Sequence, residues 1–539
     1  MTMNILQDLV LTLFILSSAW LIFRERKVRL GVIVSEGGKK YTDGRQGIVT
    51  TIGRSLSSDV RLKEHSVSRL QAVISYNAKS KRYDMTEYGK IGSCSNGYRV
   101  ASHTLQFNLP VEERCFEFGF IPTILSALFV ILQALSVYKS FGSFKAAIPH
   151  IILLCFIAAA YIIRADRQPI TESVFAILLT YYVDATMYGS TANDFTDGMM
   201  SAVIGVTLYT AFSLIMRLFL KIDMDKYNLH PIFRIAAVAA ILGIIVLNLA
   251  LAEEKNGAYN WITVGPITFQ PSEIVKLLLA FVLIVPTGKQ FYSVNNLIII
   301  LGTSITCFVY GLMIKDIGVL LQFGIIFVIA VLIQNTNFLY SILMIVAGIA
   351  GCKAVLHISS TAAARIEGWL GEGKSLFESL TASGIFDNYD DYGYQPVHAL
   401  VAAFKNGGLL GNGKFDVLKY IEAANSDLVT SMLAQKHGYL ILFLLLGMYI
   451  VLLFNTVLTL RQKNKTQQVF TCIGISLMVF AMALNLCGTF GIVALTGVVS
   501  PAISDGISAA ISYGCLFGVI SSTSMSKEYL NTIKKGELS

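Results

Sequence analysis

A series of apolar stretches, each close to 20 residues long, limits what this chain can fold into. Helices of that length are what a hydrocarbon core about 30 Å thick requires. Composition agrees, because 54% of the 539 residues are hydrophobic, only 14% are charged and the mean hydropathy is +0.64. The sequence therefore predicts a polytopic α-helical membrane protein with about thirteen transmembrane helices. These lie near residues 6–23, 119–138, 146–163, 170–188, 199–220, 232–252, 271–286, 295–314, 317–334, 338–356, 428–454, 468–486 and 506–522.

Positive charge at the helix ends sets the predicted orientation. The first apolar run ends in the cationic stretch 24–27, which is expected to stay in the cytoplasm. Alternation from there places the basic clusters 217–226 and 461–465 inside, whereas Lys139 and Lys145 fall outside as exceptions. The net charge of +8 is therefore interpreted as cytoplasmic loops and not as a nucleic-acid surface. The same alternation gathers the motif-bearing loops on the outer face of the membrane.

The helical pattern is interrupted by a segment of different character. Residues 29–113 carry short alternating apolar runs broken by Gly, Ser, Asn and Lys, a pattern typical of strands in a small soluble β domain. The expected organisation is an N-terminal anchor, this inserted cytoplasmic domain, two extra helices, a main bundle and a tail. Their predicted boundaries are 1–28, 29–113, 114–168, 169–527 and 528–539.

Within the β domain, TIGRSLSSDVRLKEHSVSRLQAVI followed by SNGYRV resembles the forkhead-associated (FHA) domain. The resemblance implies an all-β sandwich that binds phosphothreonine peptides, with a phosphothreonine protein or a Ser/Thr kinase as partner. The implied phosphopeptide-binding residues are Arg54, Ser68, Arg69 and Asn96. Guanidinium and hydroxyl groups are donors that a phosphate requires. A structural module that no longer binds phosphate is the alternative.

The segment 257–281, GAYNWITVGPITFQPSEIVKLLLAF, leads from a polar loop into an apolar helix. Pro271 suits the first helical position, and Glu273 and Lys276 then lie on one face of the first turns. Charges at the mouth of a membrane helix are costly enough to indicate function. A structural pair that anchors the helix is the alternative.

The runs GAYNW and FQPSEIVKL resemble the SEDS family, of the FtsW, RodA and SpoVE type. Further resemblances follow in order in LMIKDIGV, NSDLVTSMLA, YGYQPVHALVAAFKNGGLLGNGKF and LTGVVSPAISDGISAA, so that residues 170–524 and ten helices are covered. The resemblance implies a peptidoglycan glycosyltransferase that polymerises lipid II and releases undecaprenyl diphosphate. It also implies a class B penicillin-binding transpeptidase as partner. A lipid-linked precursor flippase and a non-catalytic cell-wall or division scaffold are the competing functions.

The resemblance also implies the site residues. Asp427 would be the catalytic base, although an Asp at a helix start is equally suited to capping. Asp316 would orient the acceptor sugar, hold a divalent cation (Mg or Mn) or cap its helix, and Lys315 could pair with it. The implied substrate-binding residues are Trp261, Gln270, Glu273, Lys276, Asp316, Arg365, Tyr394, Gln395, Lys405, Pro501 and Ser504.

Two groups of residues on the predicted long outer loop, one of cations and one of glycines, have a chemistry suited to ligand binding. Arg365, Lys405 and Lys414 could neutralise a diphosphate, with solvated surface cations as the alternative. Gly407, Gly408, Gly411 and Gly413 would let the backbone approach a ligand closely.

The chain departs from the family pattern at several positions. Asn260 stands where the family usually has Arg, and Gln435 with Lys436 replaces an acidic pair. Asp505 and Ile507 replace Tyr and Gly. The sequence therefore predicts a divergent member.

Overall fold

The structure is a computed structural model in which part of the chain is described. The described residues are 2–27, nine short strand segments between 33 and 107, 120–163, 169–189, 195–219, 230–255, 258–265, 267–284, 294–334, 407–413, 424–460, 465–489, 492–494 and 496–521, with single positions at 342, 346, 357, 363, 399 and 403.

Helices account for most of the described chain. They are α1 (Thr2–Lys27), α2 (Phe120–Phe141), α3 (Ile148–Ile163), α4 (Ile170–Gly189), α5 (Phe195–Phe219), α6 (His230–Leu251), α7 (Ser272–Ile284), α8 (Val294–Met313), α9 (Ile317–Gln334), α10 (Val429–His437), α11 (Leu440–Thr459), α12 (Lys465–Thr489) and α13 (Ile507–Ser521). A single 3-10 turn, Phe144–Ala147, precedes α3.

Seven helices of the described chain are long and apolar enough to cross a membrane, and three further apolar helices are shorter. The predicted multi-pass helical architecture is confirmed. Each predicted span coincides with a described helix except 428–454, which is divided between two helices, and 338–356, most of which lies outside the described residues.

The inserted segment forms strands as predicted. They are β1 (Ile33–Val34), β2 (Lys40–Tyr41), β3 (Val49–Gly53), β4 (Val60–Arg61), β5 (Ala72–Asn77), β6 (Arg82–Glu87), β7 (Ser93–Cys94), β8 (Gly97–Val100) and β9 (His103–Phe107). A five-stranded sheet has the order β2-β1-β9-β8-β7, and a four-stranded sheet has the order β4-β3-β5-β6. Only β3 and β4 pair in parallel among these strands. Two sheets are what a β-sandwich requires.

Three helices form the centre of the membrane bundle. Side chains of α4, α10 and α13 are buried on nearly every face, whereas α2, α6 and α8 expose large apolar residues on one side. A helix that is apolar and buried all round belongs in a core, and one apolar face left exposed suits contact with lipid.

Two glycines bring α13 close to α5. Gly514 and Gly518 are spaced four residues apart, and a Cβ added at Gly518 would lie 2.4 Å from the Ser213 carbonyl oxygen. Small residues at this spacing allow close helix packing in membranes, where apolar burial between helices gives little driving force.

A third sheet caps one end of the bundle. It consists of β10 (Glu253–Lys255), β11 (Ala258–Val264) and β12 (Ile267–Phe269), which pair antiparallel. Tyr259 N–H donates to the Ile314 carbonyl at 2.8 Å, so the sheet is fastened to the α8–α9 junction.

Two sequence predictions require correction. The predicted helix 428–454 is two helices, because Gly438 has φ +93° and the chain turns there. Pro271 lies one residue before α7 and not at its first position, and its carbonyl accepts the first helical hydrogen bond, from Val275 N–H.

Candidate active site

A polar junction forms where β11 meets the starts of α7 and α9. The Asn260 amide is fully buried, and its Nδ2 donates to Ser272 Oγ at 2.8 Å and to Asp316 Oδ2 at 2.9 Å. One carboxamide therefore ties the strand to both helices. Asn260, which stands where the family usually has Arg, therefore contacts Asp316 through a neutral amide and not through a cation.

Asp316 caps α9, the alternative that its sequence position left open. Its Oδ1 accepts from Val319 N–H at 3.0 Å, while Oδ2 accepts from Asn260. The expected pairing with Lys315 is not made, because Lys315 Nζ lies 5.3 Å from the centre of the Tyr259 ring. Lys315 itself has φ +56°, which is strained for a residue with a side chain.

Glu273 and Lys276 form the ion pair that their spacing predicts. Lys276 Nζ lies 2.5 Å from Glu273 Oε1, and both residues are 3% exposed. The ammonium also donates to Gln322 Oε1 of α9 and lies 5.8 Å from the Tyr513 ring of α13. This pair therefore joins three helices. Glu273 Oε2 has no hydrogen-bond partner among the described residues, so this oxygen can still accept a hydrogen bond.

Asp427 lies in a turn just before α10. The N-cap of this helix is Leu428, so Asp427 stands one residue outside the position that capping requires. Its side chain is partly exposed. An Asp placed there has the positive end of the α10 dipole nearby.

The backbone around Asp427 is held from α12. Asn485 Nδ2 donates to the Asp427 carbonyl at 2.8 Å and to the Val498 carbonyl at 2.9 Å. Thr430 Oγ1 lies 3.1 Å from Asn485 Oδ1. One buried amide thus fixes both the Asp427 turn and the loop that faces it.

The loop between α12 and α13 holds the same turn from the other side. Ser504 Oγ donates to the Ser426 carbonyl at 2.7 Å. Asn425 and Asp505 form two reciprocal bonds, from Asn425 Nδ2 to Asp505 Oδ2 at 3.0 Å and from Asp505 N–H to the Asn425 carbonyl at 2.9 Å. Burial raises the pKa of Asp505 to about 6, so this contact involves a carboxyl that is protonated in mild acid.

Pro501 and Ser504 are buried in this arrangement. The Pro501 carbonyl accepts from Tyr449 Oη at 2.5 Å, and Ser504 Oγ also accepts from Ser500 N–H at 2.7 Å. In this structure both residues hold the loop in shape, and direct contact with a substrate stays a prediction. Ala502 between them has φ +60° and is fully buried. Backbone strain of this kind is often found at functional sites.

Trp261 lies within β11, and Gln270 directly follows β12. Both side chains are partly buried, and Gln270 N–H donates to Ser508 Oγ of α13 at 2.7 Å. The polar junction is therefore connected to the start of α13 and to the loop that precedes it.

Glu273, Asp316 and Asp427 lie at the same end of the bundle. A Cβ at Gly318, next to Asp316, would lie 2.9 Å from the Thr496 carbonyl. A Cβ at Gly497 would lie 3.6 Å from Asp427 Oδ2. The loop 496–506 thus runs from the start of α9 to the Asp427 turn.

The glycine-rich turn 407–413 packs against the end of α10. A Cβ at Gly407 would lie 2.3 Å from the Ala434 carbonyl oxygen, and one at Gly411 would lie 2.1 Å from the Lys436 carbonyl oxygen. Asn412 N–H and Gly413 N–H donate to the carbonyls of Gln435 and Lys436, both at 3.0 Å. The glycines therefore let the turn approach α10, and their approach to a ligand stays a prediction.

Several predicted residues lie outside the described part of the chain. These are Arg365, Tyr394, Gln395, Lys405 and Lys414, together with the phosphopeptide residues Arg54, Ser68, Arg69 and Asn96. Among the described residues, no group of three or more His, Cys, Asp or Glu side chains could hold a metal ion. A divalent cation (Mg or Mn) at this site stays a prediction.

Sequence reasoning missed the amides that position the carboxylates. Asn260 and Asp505 were recognised only as departures from a pattern, and Asn485 carried no signal because it lies inside an apolar helix. The one usable signal was its polarity, since a buried amide in a membrane helix requires partners.

Comparison with known proteins identifies two segments. Residues 167–529 match the profile of the FtsW/RodA/SpoVE family, described as cell cycle proteins, and residues 50–109 match the FHA domain. A probable peptidoglycan glycosyltransferase FtsW of Taylorella equigenitalis is 26% identical over 297 residues, which is 52% of this chain and 77% of the relative. The protein of the same description from Helicobacter pylori is 24% identical over 397 residues, 68% of this chain and 96% of the relative. A chain of a peptidoglycan synthase complex that couples polymerization and crosslinking superposes with TM-score 0.47 and 20% identity, over 65% of this chain and 95% of that one.

Proposed function

The chain belongs to the FtsW/RodA/SpoVE family of cell cycle proteins, and we propose that it is a peptidoglycan glycosyltransferase that polymerises lipid II. The relatives described as probable peptidoglycan glycosyltransferases support this activity. The observation that carries the proposal is the Asp427 turn, whose backbone is held by Asn485, by Ser504 and by the contact between Asn425 and Asp505, with Asp427 itself partly exposed.

In the proposed reaction, Asp427 is the general base. It accepts the proton from an acceptor sugar hydroxyl as that oxygen forms a bond to the anomeric carbon of the donor. The bond from this carbon to the diphosphate breaks, and undecaprenyl diphosphate leaves with the electron pair. A rigid turn suits this role, because a base is effective only when it is held within hydrogen-bonding distance of the proton.

Lys276 is unsuited to the leaving group. Lys276 is buried and occupied by Glu273 and Gln322, so it stabilises the helix junction. Stabilisation of the diphosphate is therefore assigned to Arg365 and Lys405 as a proposal that rests on the family resemblance. Binding of a substrate hydroxyl by Glu273 rests on the family resemblance alone, because Glu273 is 3% exposed and its Oε2 is buried.

We place this site on the outer face of the membrane and the FHA domain in the cytoplasm, following the distribution of Lys and Arg. The FHA domain would bind a phosphothreonine protein, a product of a Ser/Thr kinase. A class B penicillin-binding transpeptidase would be the membrane partner.

The partnership with a phosphothreonine protein is tested by peptide capture. Loss of phosphothreonine-peptide capture in Arg54→Ala, but not in Lys39→Ala, would support it. Capture that does not depend on the phosphate would contradict it.

The test of the main proposal is lipid II polymerisation by the purified full chain together with the transpeptidase. Asp427→Asn should lower the rate by about 10² to 10⁴, the usual contribution of a general base. Glu254→Gln is the matched control, because Glu254 is an exposed carboxylate at the same end of the bundle and, among the described residues, bonds only to Tyr259. Equal rates for Asp427→Asn and Glu254→Gln would remove Asp427 from the mechanism.

A precursor flippase is the competing function. A transport path would favour charged groups along the depth of the helices. Residues 9–23, 235–251 and 277–284 of the described helices carry no Asp, Glu, Lys or Arg, whereas α4 and α10 carry the buried Asp184 and Lys436. Liposomes that score lipid II translocation separately from polymer formation distinguish the two, and translocation without polymer would favour the flippase.

A further inference from the structure

The C-terminal end of α10 is held by side chains and backbone from distant parts of the chain. The Lys436 carbonyl accepts from Asn4 Nδ2 of α1 at 2.8 Å and from Gly413 N–H at 3.0 Å. Carbonyls in the last turn of a helix have no partner within the helix. α1 and the glycine-rich turn therefore supply the bonds that the end of α10 lacks.

A buried ion pair holds the same end against α4. Lys436 Nζ lies 2.8 Å from Asp184 Oδ2, and His437 Nε2 lies 3.3 Å from the same oxygen. All three residues are at least 96% buried, and the ammonium lies 3.9 Å from the Tyr188 ring centre. Burying such charges costs more than packing apolar residues of similar volume, so the cluster is better explained by a specific orientation than by stability.

The helices that precede the family match converge on this cluster. Asp8 of α1, Gln133 of α2 and His150 of α3 are all buried. His150 lies close enough to Asp184 and Lys436 for their charges to act on it. Gln7 Nε2 of α1 donates to the Leu132 carbonyl of α2 at 3.4 Å. Polar groups are costly inside a membrane bundle, and their concentration here indicates a specific docking site for α1–α3.

α10 connects this cluster to the proposed catalytic base. The helix has nine residues, so its two ends are about 12 Å apart. One end follows Asp427 and is fixed by Asn485, while the other is fixed by Asn4 and Asp184. A short rigid helix held at both ends transmits a displacement of one end to the other.

We propose that Asn4, Asp184 and Lys436 are positioning residues, through which the N-terminal helix α1 sets the orientation of α10 and hence of the Asp427 carboxylate. This proposal rests on the proposed function for its activity readout. Lys436 stands where the family resemblance has an acidic pair, so the ion pair with Asp184 is a feature of this chain.

The first test uses Asn4→Leu, which keeps the volume and removes the donor. We expect kcat for lipid II polymerisation to fall by about tenfold to a hundredfold with KM unchanged, the effect of a base displaced by about 1 Å. Amide hydrogen exchange should rise across residues 424–437 and remain unchanged in α12. Asn455→Leu is the matched control, because its amide joins α11 to Thr171 elsewhere in the bundle.

The second test removes the ion pair. Asp184→Asn or Lys436→Met alone should lower the melting temperature, because the first leaves the Lys436 ammonium without its carboxylate and the second leaves the Asp184 carboxylate with His437 alone. The double variant Asp184→Asn/Lys436→Met should recover the melting temperature while kcat stays low. If the ion pair had only a structural role, the double variant would recover both the melting temperature and kcat.

The outcomes separate this proposal from the proposed function. If the wild-type chain does not polymerise lipid II, the proposed function fails, and hydrogen exchange at 424–437 still decides the coupling. The positioning role would be overturned if Asn4→Leu kept both the amide hydrogen exchange and the kcat of the wild type. It would also be overturned if the double variant Asp184→Asn/Lys436→Met had full kcat.

Discussion

Asn485 is the side chain that ties Asp427 to the loop opposite it. Replacement by Leu leaves the Asp427 and Val498 carbonyls without this donor and removes the acceptor near Thr430. We expect Asn485→Leu to lower the free energy of unfolding by about 1–3 kcal/mol and to reduce polymerisation at least about tenfold. Thermal unfolding and initial rates measure the two effects. Asn455→Leu should share the loss of stability and retain the rate; the same loss of rate in both variants would contradict a local role.

Asp505 makes the loop between α12 and α13 sensitive to pH. Burial raises its pKa from 3.8 to about 6, so the folded protein holds this proton more tightly than the unfolded chain does. Its contribution to the free energy of unfolding is therefore most favourable below about pH 4, falls as pH rises to about 6, and is constant above. Asp505→Asn keeps an oxygen acceptor for Asn425 and removes the titration.

The melting temperature of Asp505→Asn relative to wild type should therefore increase between about pH 4 and pH 6. Unfolding scans across this range, in one detergent and at constant ionic strength, check the prediction. Glu254→Gln, at an exposed carboxylate, should show no such change. A constant difference between Asp505→Asn and wild type would show that the carboxyl titrates normally.

At the scale of residues, charge was more predictable than hydrogen bonding. The Glu273 and Lys276 pair follows from helical spacing alone, because residues three apart share a face. The link from Asn260 to Asp316 spans 56 residues and depends on how a strand meets a helix, which no local pattern specifies. Capping by Asp316 was foreseen as one of its possible roles, whereas the place of Asp427 outside the cap depends on the turn before α10.

At the scale of elements, the glycine-rich turn shows how backbone contact shapes the site. Gly411 and Gly413 have nearly equal φ values, +76° and +75°. A Cβ at Gly411 would lie 2.1 Å from the Lys436 carbonyl oxygen, whereas one at Gly413 would meet nothing within 4 Å. Gly413→Ala should therefore lower the free energy of unfolding only through the strain of the left-handed backbone conformation, by about 1–2 kcal/mol. Gly411→Ala should lower it by clearly more. Melting temperatures of the two variants compare these costs directly, and equal values would show that the turn does not press on α10.

The approach of α13 to α5 gives a second comparison between glycines. A Cβ at Gly518 would lie 2.4 Å from the Ser213 carbonyl oxygen, and one at Gly302 in α8 would meet nothing within 4 Å. Gly518→Ala should force the two helices apart and lower the melting temperature. Gly302→Ala should raise the stability by about 0.5–1 kcal/mol, because Ala loses less conformational freedom in a helix. Thermal unfolding scans of both variants test whether the two changes in stability have opposite signs. A stabilising effect of Gly518→Ala would disprove the close packing.

Helices were predictable from apolar length, but their interruptions were not. The run 428–454 is mostly apolar, although residues 435–437 are Gln, Lys and His, and a single Gly is tolerated in many helices. The chain breaks at Gly438 because another backbone occupies the space, since a Cβ there would lie 2.1 Å from the Leu409 carbonyl oxygen. This contact joins segments that are far apart in the predicted topology, so the sequence could not reveal it.

At the scale of the whole molecule, the β domain is inserted between two helices that pack on the bundle. Chain order places it after α1 and before α2, and both helices contribute polar contacts to the Asp184 cluster or its surroundings. Alternating strands inside an apolar chain predicted this insertion without any knowledge of the fold. The docking of α1 beside α10 was not predictable, because it joins residues more than 400 positions apart.

Because these contacts lie within the helices, the membrane part should fold without the β domain. Replacing residues 29–113 with a Gly/Ser linker of about ten residues, which spans about 17 Å, should leave α1 and α2 in place, since neighbouring helices pack about 8–10 Å apart. We expect an unchanged melting temperature and polymerisation rate. Deletion of residues 2–113 removes α1 as well, including Asn4 and the fully buried Phe14. That deletion should lower the rate because the end of α10 loses a donor, and a normal rate would show that α1 only anchors the β domain.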